Sequence, residues 1–392
     1  MNETPKGERI HISIFGRRNA GKSSIINAIT GQKLAIVSDV LGTTTDPVQK
    51  AMEILPLGPV VITDTPGLDD VGELGVERVK KAYGVLAKTD LALIVTDGIV
   101  GIGDIEKKLE DELKSHSVPY LIVYNKSDLI TADSMPDSAL SVSALTGEGI
   151  NELKEKIASL APKKEERDLL DGVVKSGDTV LLVIPIDSAA PKGRLILPQQ
   201  QTIRSILDKG AHALICRDSE LAGFLSALGK EPDLVICDSQ VFKAVENIIP
   251  KSVPLTSFSI LFARYKGDLK TLANGVNAIK SLKDGDSILI AEGCTHHRQC
   301  GDIGSVKIPA MLEKVTGIKP NYSFTSGGEF TDSPESHKLI IHCGGCMLSE
   351  KEMKNRLALA NAENVPIVNF GVLLAYLSGI LERSLEPFGD DI

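Results

Sequence analysis

Tryptophan is absent from the 392 residues, and aromatic side chains make up only 4% of them. A nucleic-acid platform of aromatics set among basic residues has little to draw on, and no such interleaved run occurs. Positive charge is in the minority: 43 Lys and Arg stand against 52 Asp and Glu, a net charge of −9 with a pI near 5.4. With no basic stripe to track a phosphate backbone, no nucleic-acid partner is expected. The opening residues Met1-Asn2-Glu3-Thr4-Pro5-Lys6-Gly7 hold no apolar core, so a secretory leader is not expected. Long hydrophobic runs are missing too. The nearest, 364–381, carries no charge but is broken by Asn364, Pro366, Asn369 and Gly371. It reads as a buried strand (VPIVNF) followed by a helix (GVLLAYLSGIL) rather than a membrane span. A cytoplasmic protein without a membrane partner is expected.

Cysteine is scarce, and its six copies are uneven. Cys216 and Cys237 end the apolar runs HALIC and DLVIC, where a thiol serves as a small buried hydrophobe. The other four crowd between Cys294 and Cys346, and clustered Cys and His without a leader read as metal ligands or redox groups rather than disulfides.

This length accommodates two or three domains. From Arg9 on, apolar strand-like runs (RIHISIF, AMEIL, PVVITD, DLALIVTD, PYLIVYN) alternate with helices starting at Lys22, near Gly72, at Asp104 and at Gly149. That alternation predicts an α/β fold with mainly parallel sheets. Leu153, Ile157 and Leu160 are expected on the buried face of the last of these helices. After the charged run Ala161–Arg167, a second series (TVLLVIPI, HALIC, DLVIC, with helices from about Gln199, around Leu221 and from Val241 to Ile249) carries no chemical motif. A third begins near Asp268 with a helix over LKTLANGVNAIKSL, and its strands SILIA and KLIIH run into Cys294 and Cys343. The expected division is an α/β domain over 1–166 and two smaller α/β domains over 167–266 and 267–392.

Gly16-Arg17-Arg18-Asn19-Ala20-Gly21-Lys22-Ser23 matches the phosphate-binding G-x-x-x-x-G-K-[ST] between a strand and a helix. Backbone N–H groups from Gly16 to Ser24 would wrap the phosphates; Lys22 would reach the β and γ oxygens, and Ser23 would hold Mg²⁺. Asp64-Thr65-Pro66-Gly67 supplies a carboxylate to hold Mg²⁺ through water and a glycine near the γ-phosphate. Thr44, within Gly42–Asp46, is the choice for the hydroxyl closing over Mg²⁺, with Thr43 and Thr45 as alternatives. Asn125-Lys126-Ser127-Asp128 selects the base: the Asp128 carboxylate accepts from guanine N1–H and the 2-amino group, where adenine has no donors. Ser143-Ala144-Leu145 completes the base-side loop. GTP is the expected ligand. Leu68 stands where other GTPases keep a water-orienting glutamine, so slow intrinsic hydrolysis is expected.

Cys294-x-His296 and, 45 residues later, His342-Cys343-x-x-Cys346 offer three thiolates with imidazoles beside them. Three cysteines with a weak or non-protein fourth ligand suit a [4Fe–4S] cluster with one open iron; Cys₃His or Cys₂His₂ would equally suit zinc. His296 and His342 could ligate or merely orient. His297 could be exposed or lie behind the ligands, and Cys300 could be a spare ligand or a bystander.

These motifs together resemble the [FeFe]-hydrogenase maturation GTPases, and the resemblance covers essentially the whole chain. Asn19 matches the potassium-coordinating asparagine of the translation-factor-related, K⁺-activated GTPases. The resemblance implies a scaffold or carrier, a chaperone for a di-iron precursor bearing CO and cyanide that is completed and handed to apo-[FeFe]-hydrogenase. Two radical-SAM maturation enzymes would supply the pieces. It further implies a homodimer formed through 167–266 and a [4Fe–4S] cluster on Cys294, Cys343 and Cys346. The competing expectation is a GTPase of RNA modification or ribosome assembly with a structural zinc site.

Overall fold

The computed structural model describes residues 4–31, 47–70, 73–130, 140–163, 167–186, 195–294 and 302–391. The chain divides into two compact units, Met1–Glu165 and Glu166–Ile392.

The first unit runs β1 (Ile10–Phe15), α1 (Lys22–Thr30), β2 (Val48–Ile54), β3 (Gly58–Asp64), α2 (Glu73–Gly84), β4 (Leu91–Asp97), α3 (Asp104–Ser115), β5 (Tyr120–Asn125), β6 (Leu140–Ser141) and α4 (Ile150–Leu160). The strands form one sheet in the order β2-β3-β1-β4-β5-β6, parallel except for the β2–β3 pair. Continuous apolar runs explain β3 and β4, since strands buried on both faces need no polar alternation; β1 (IHISIF) alternates, its buried His11 and Ser13 being hydrogen-bonded to the Lys6 carbonyl and to Thr89. β2 is an edge, and most of its residues are exposed. On α4 the buried face is Ile150, Leu153 and Ile157, while Leu160, expected inside, is 39% exposed in the last turn.

The second unit holds β7 (Thr179–Val183), α5 (Leu197–Asp208), β8 (His212–Cys216), α6 (Leu221–Leu228), β9 (Leu234–Cys237), α7 (Phe242–Glu246), β10 (Leu255–Ser257), α8 (Phe258–Lys266) and α9 (Leu269–Asn274). There follow β11 (Ser287–Glu292), α10 (Ile308–Thr316), β12 (Asn321–Ser326), β13 (Leu339–His342), α11 (Glu350–Ala362), β14 (Ile367–Asn369), α12 (Phe370–Leu377) and α13 (Leu381–Leu385). Two wholly parallel sheets result, β10-β9-β7-β8 and β12-β11-β13-β14. One apolar core, from Leu169 to Phe388, runs through both. Helix α8 joins them, packing on α5 and on α11 and α12.

Cys216 and Cys237 are buried in this core. The helix expected over 269–282 is α-helical only to Asn274 and continues as 3₁₀ turns from Gly275 to Ser281. At Gly275 a Cβ would lie 2.1 Å from the Ile367 carbonyl, so only glycine lets the chain press onto β14 there. The uncharged run at 364–381 gives β14 and α12, and Asn369 caps α12 by accepting from the Gly371 and Val372 N–H groups. Among the described residues no helix is long and apolar enough to cross a membrane.

Candidate functional sites

The nucleotide loop follows β1, beside the point where the strand order reverses between β3 and β4, the usual ligand position in an open α/β sheet. Gly21 adopts φ +90°, and a Cβ there would strike the Asn125 amide nitrogen at 2.0 Å. That closeness is used: Asn125 Nδ2 donates to the Ala20 carbonyl (3.0 Å), while its Oδ1 accepts from the Ala144 N–H (3.1 Å). One buried amide thus ties the phosphate loop to both base-side loops. Ser143 Oγ donates to Asp128 Oδ1 at 2.5 Å, which fixes the carboxylate expected to read the base, and Lys126 Nζ pairs with Asp97 at 2.7 Å. Leu145 is 86% exposed, so only its backbone shapes this loop. Asn19 is exposed with φ +59°, and Ser24 is half-buried in the first turn of α1.

Lys22 arches across the loop, its Nζ donating to the carbonyls of Gly16 (3.0 Å) and Arg17 (2.8 Å). Burial lowers its pKa, against the pull of Asp64, Asp69 and Asp70. Burial likewise raises the Asp64 carboxyl, against the Ser23 hydrogen bond and the Lys22 charge. Ser23 Oγ donates to Asp64 Oδ2 at 2.7 Å, and Asp64 Oδ1 is buried with no hydrogen-bond partner among the described residues. Two hard oxygen donors, one of them orphaned, fit a magnesium ion, which prefers few protein oxygens plus phosphate. Gly67 is buried just past Asp64, close against Arg18. Thr44, with Thr43 and Thr45, lies outside the described residues.

Sequence reading missed the charged layer around this loop. Arg17 Nη2 bonds Glu106 at 2.8 Å, and Glu106, fully buried, also accepts the Gly103 N–H at the start of α3. Arg18 faces Asp69 and Asp70. A glutamate three residues beyond a helix start is the available sequence signal; for the arginines there was none.

The cysteine loops occupy the equivalent place in the sheet β12-β11-β13-β14, whose order reverses between β11 and β13. Cys294 follows β11 and Cys343 follows β13, strands in register from Ile288↔Leu339 to Ala291↔His342. The two loops touch: the Gly293 N–H donates to Cys343 Sγ at 3.0 Å, and the Gly345 N–H reaches the same sulfur at 3.4 Å. Burial raises the thiol pKa of Cys343, partly offset by these two donors. Cys346 is pushed up to about 11 by burial and by the neighbouring Cys343. Soft sulfurs with backbone N–H donors aimed at one of them fit an iron–sulfur cluster in kind. Among the described residues no three His, Cys, Asp or Glu side chains are already gathered as a metal site. His296, His297 and Cys300 lie outside the described residues.

His342 is fully buried, and both ring nitrogens are spent. Arg356 Nη1 donates to Nε2 (2.9 Å), which fixes the proton on Nδ1, and that N–H donates to the Cys343 carbonyl (2.7 Å). Burial, then Arg356, lowers its pKa to about 3. Ligation by His342 would require breaking one of these bonds. Arg356 is itself buried, donating also to the Gly327 carbonyl and to Glu352, with its guanidinium over Phe330. Buried Lys266 donates to the carbonyls of Cys346 (2.8 Å) and Leu348 (2.7 Å), pinning the second cysteine loop. No sequence motif singles out Arg356 or Lys266.

Three family profiles match the chain. "Hydrogen maturase F dimerization domain" covers residues 169–267, "Hydrogen maturase F tetramerization domain" 270–387, and "50S ribosome-binding GTPase" 11–126. The first unit is therefore a P-loop GTPase domain, and the second carries domains of oligomerising type. Similar curated proteins include the tRNA modification GTPase MnmE of Dichelobacter nodosus, 36% identical over 165 residues, 41% of this chain and 36% of that protein. GTPase Der of Kosmotoga olearia is 29% identical over 181 residues, 41% of this chain and 40% of that one. The chain thus spans well under half the length of these relatives. Among solved structures, a single-residue variant of Aquifex aeolicus Era bound to GDP.AlF4- has a TM-score of 0.36 at 22% identity, covering 53% of this chain and 92% of that one. The G domain of the T. maritima FeoB iron transporter gives 0.31 at 24% identity, covering 39% and 99%.

Proposed function

Because this chain belongs to the hydrogen maturase F family, we propose that it is a GTP-driven scaffold of [FeFe]-hydrogenase maturation. The di-iron precursor, with its CO and cyanide ligands, is its cargo; two radical-SAM maturation enzymes supply it, and apo-hydrogenase receives it. In this reading Cys294, Cys343 and Cys346 hold a [4Fe–4S] cluster in a domain over 267–392, residues 167–266 form the homodimer contact, and the protein works in the cytoplasm. The observation that carries the reading is the direct N–H to sulfur contact between the two cysteine loops at the sheet switch point, in a chain that also bears a GTPase.

The roles of the residues follow. Lys22, with the loop N–H groups, binds the β and γ phosphates. Ser23, Asp64 and Thr44 hold Mg²⁺, Gly67 meets the γ-phosphate, and Asn19 holds K⁺. Asp128, oriented by Ser143, reads guanine. In the second unit, Gly293 and Gly345 supply hydrogen bonds to Cys343 sulfur, while Lys266 and the Arg356–His342 pair hold the cysteine backbone in place. When bound, the cluster supplies an iron whose fourth position is not a cysteine, which suits a protein that must release its cargo. GTP binding and hydrolysis reorder the loops around Thr44 and Gly67 and so time partner exchange.

Activation of apo-hydrogenase by the purified protein, loaded by the two maturation enzymes, tests this. The wild-type chain should activate and a Cys343→Ser/Cys346→Ser variant should not. Activation by both alike would contradict the proposal.

A further inference from the structure

The phosphate loop carries two consecutive arginines, and the structure treats them differently. Arg17 is committed: its directional bond to fully buried Glu106 builds the start of α3. Arg18 is about a third exposed and approaches Asp70 at 3.0 Å and Asp69 at 3.8 Å. Among the described residues its Nε and Asp70 Oδ1 nevertheless have no hydrogen bond, so the side chain is held there by charge rather than by a directional bond.

The stem of Arg18 lies on the residue nearest the γ-phosphate position. A Cβ at Gly67 would stand 2.4 Å from Arg18 Cγ and 3.0 Å from the Arg18 backbone nitrogen. Leu68, next along, is buried in the core and offers no polar group to a reacting water. Asp70 does not depend on Arg18 alone, because Arg78 of α2 approaches its other oxygen at 3.5 Å. A nearly buried carboxylate stripped of every partner is costly, whereas one that keeps Arg78 can let Arg18 go.

We propose that Arg18 is an on-chain catalytic cation for GTP hydrolysis, stored on Asp69 and Asp70 and released to the γ-phosphate when GTP fills the loop. A dianionic γ-phosphate arriving beside Gly67 competes with two carboxylates for the same guanidinium. In the step itself the water oxygen bonds to the γ-phosphorus, the bond to the β–γ bridging oxygen breaks, and the water proton ends on the product phosphate. Arg18 stays protonated throughout and offsets charge gathering on the bridging and γ oxygens. The inference rests on the GTPase domain and is independent of the cluster.

The test compares wild type, Arg18→Ala, Arg18→Lys, Asp70→Asn and the Arg18→Ala/Asp70→Asn double variant at fixed K⁺, by fluorescent-GDP affinity and single-turnover GTP hydrolysis. Arg18→Ala should keep GDP affinity and lose about 10²-fold in hydrolysis, the scale of one lost oxyanion donor. Arg18→Lys should fall between, and Asp70→Asn, with its arginine freed, should hydrolyse faster than wild type. The double variant should stay as slow as Arg18→Ala. Recovery of the double variant to the wild-type rate would mean that Arg18 merely neutralises Asp70, and would overturn the proposal. An unimpaired Arg18→Ala, or an Asp70→Asn no faster than wild type, would overturn it equally. If Arg18→Ala fails to bind GDP, Asp70→Asn and Arg18→Lys, which keeps the stem over Gly67, still decide the matter.

Discussion

Replacing His342 by asparagine should flatten the loss of stability on acidification. The imidazole is buried between the Arg356 guanidinium and the Cys343 carbonyl and titrates in the native state at about 3, because burial and then the Arg356 charge oppose a second proton. In the unfolded chain it titrates near 6.5. A histidine whose folded pKa is depressed costs nothing above the unfolded value. Stability is lost as pH falls through about 6.5, since the unfolded state binds a proton that the native state refuses, and the loss continues until about pH 3. Between pH 7 and pH 5 the single-site penalty is about 2 kcal/mol. Urea unfolding of cluster-free full chain at pH 7, 6 and 5, wild type against His342→Asn, reads this difference. Carboxylates and the other histidines titrate alike in both proteins, so only the difference in slope counts, whatever the absolute stability of the variant. With an m-value near 3 kcal/mol/M, the wild-type midpoint should fall by roughly 0.7 M more than that of the variant. Parallel pH dependences would refute the buried, neutral His342 and the hydrogen bonds drawn from it.

Arg356→Met should destabilise the second unit by about 3–5 kcal/mol, because buried Glu352 loses its guanidinium partner; adding Glu352→Gln should restore part of this in urea unfolding, and no restoration would count against the pairing. Asp128→Asn exchanges an acceptor-only carboxylate for an amide that is both donor and acceptor, so GTP affinity should fall by about 3 kcal/mol or more while a xanthine nucleotide gains. Unchanged GTP binding by calorimetry would refute the base-reading role. Hydrolysis should be faster in K⁺ than in Na⁺, and Asn19→Ala should erase the difference; equal wild-type rates in the two salts would remove the potassium site.

The GTP loops were legible because each function there rests on a short contiguous string, from Gly16–Ser23 to Asn125–Asp128, and the fold only has to deliver those strings to one sheet edge. The parallel sheets were legible from unbroken apolar runs such as Leu91–Asp97. Other elements left no such mark. β10 is three residues, two of them hydroxylic, and β12 (Asn321–Ser326) is a polar, partly exposed edge. Both are strands because neighbours supply the ladder, not because of their own pattern. Leu160 matched the helical period but fell in a last turn that the core does not reach. At the cysteine site, Cys343 and Cys346 stood out by spacing, while no motif marked Arg356, Lys266 or Glu352. Their burial follows from where α8 and α11 cross the sheet, which no local pattern encodes. The same holds for Arg18 and Asp70, whose pairing joins residues far apart in the chain.

As proposed above, three cysteines of the second unit hold a [4Fe–4S] cluster in a GTPase scaffold. Anaerobic purification, reconstitution with iron and sulfide, and EPR after dithionite reduction test it most directly, with the Cys343→Ser/Cys346→Ser variant in parallel. A reduced [4Fe–4S] signal in wild type that is lost in the variant is the predicted result. Stoichiometric zinc with no such signal would contradict the claim and bring forward a structural zinc site.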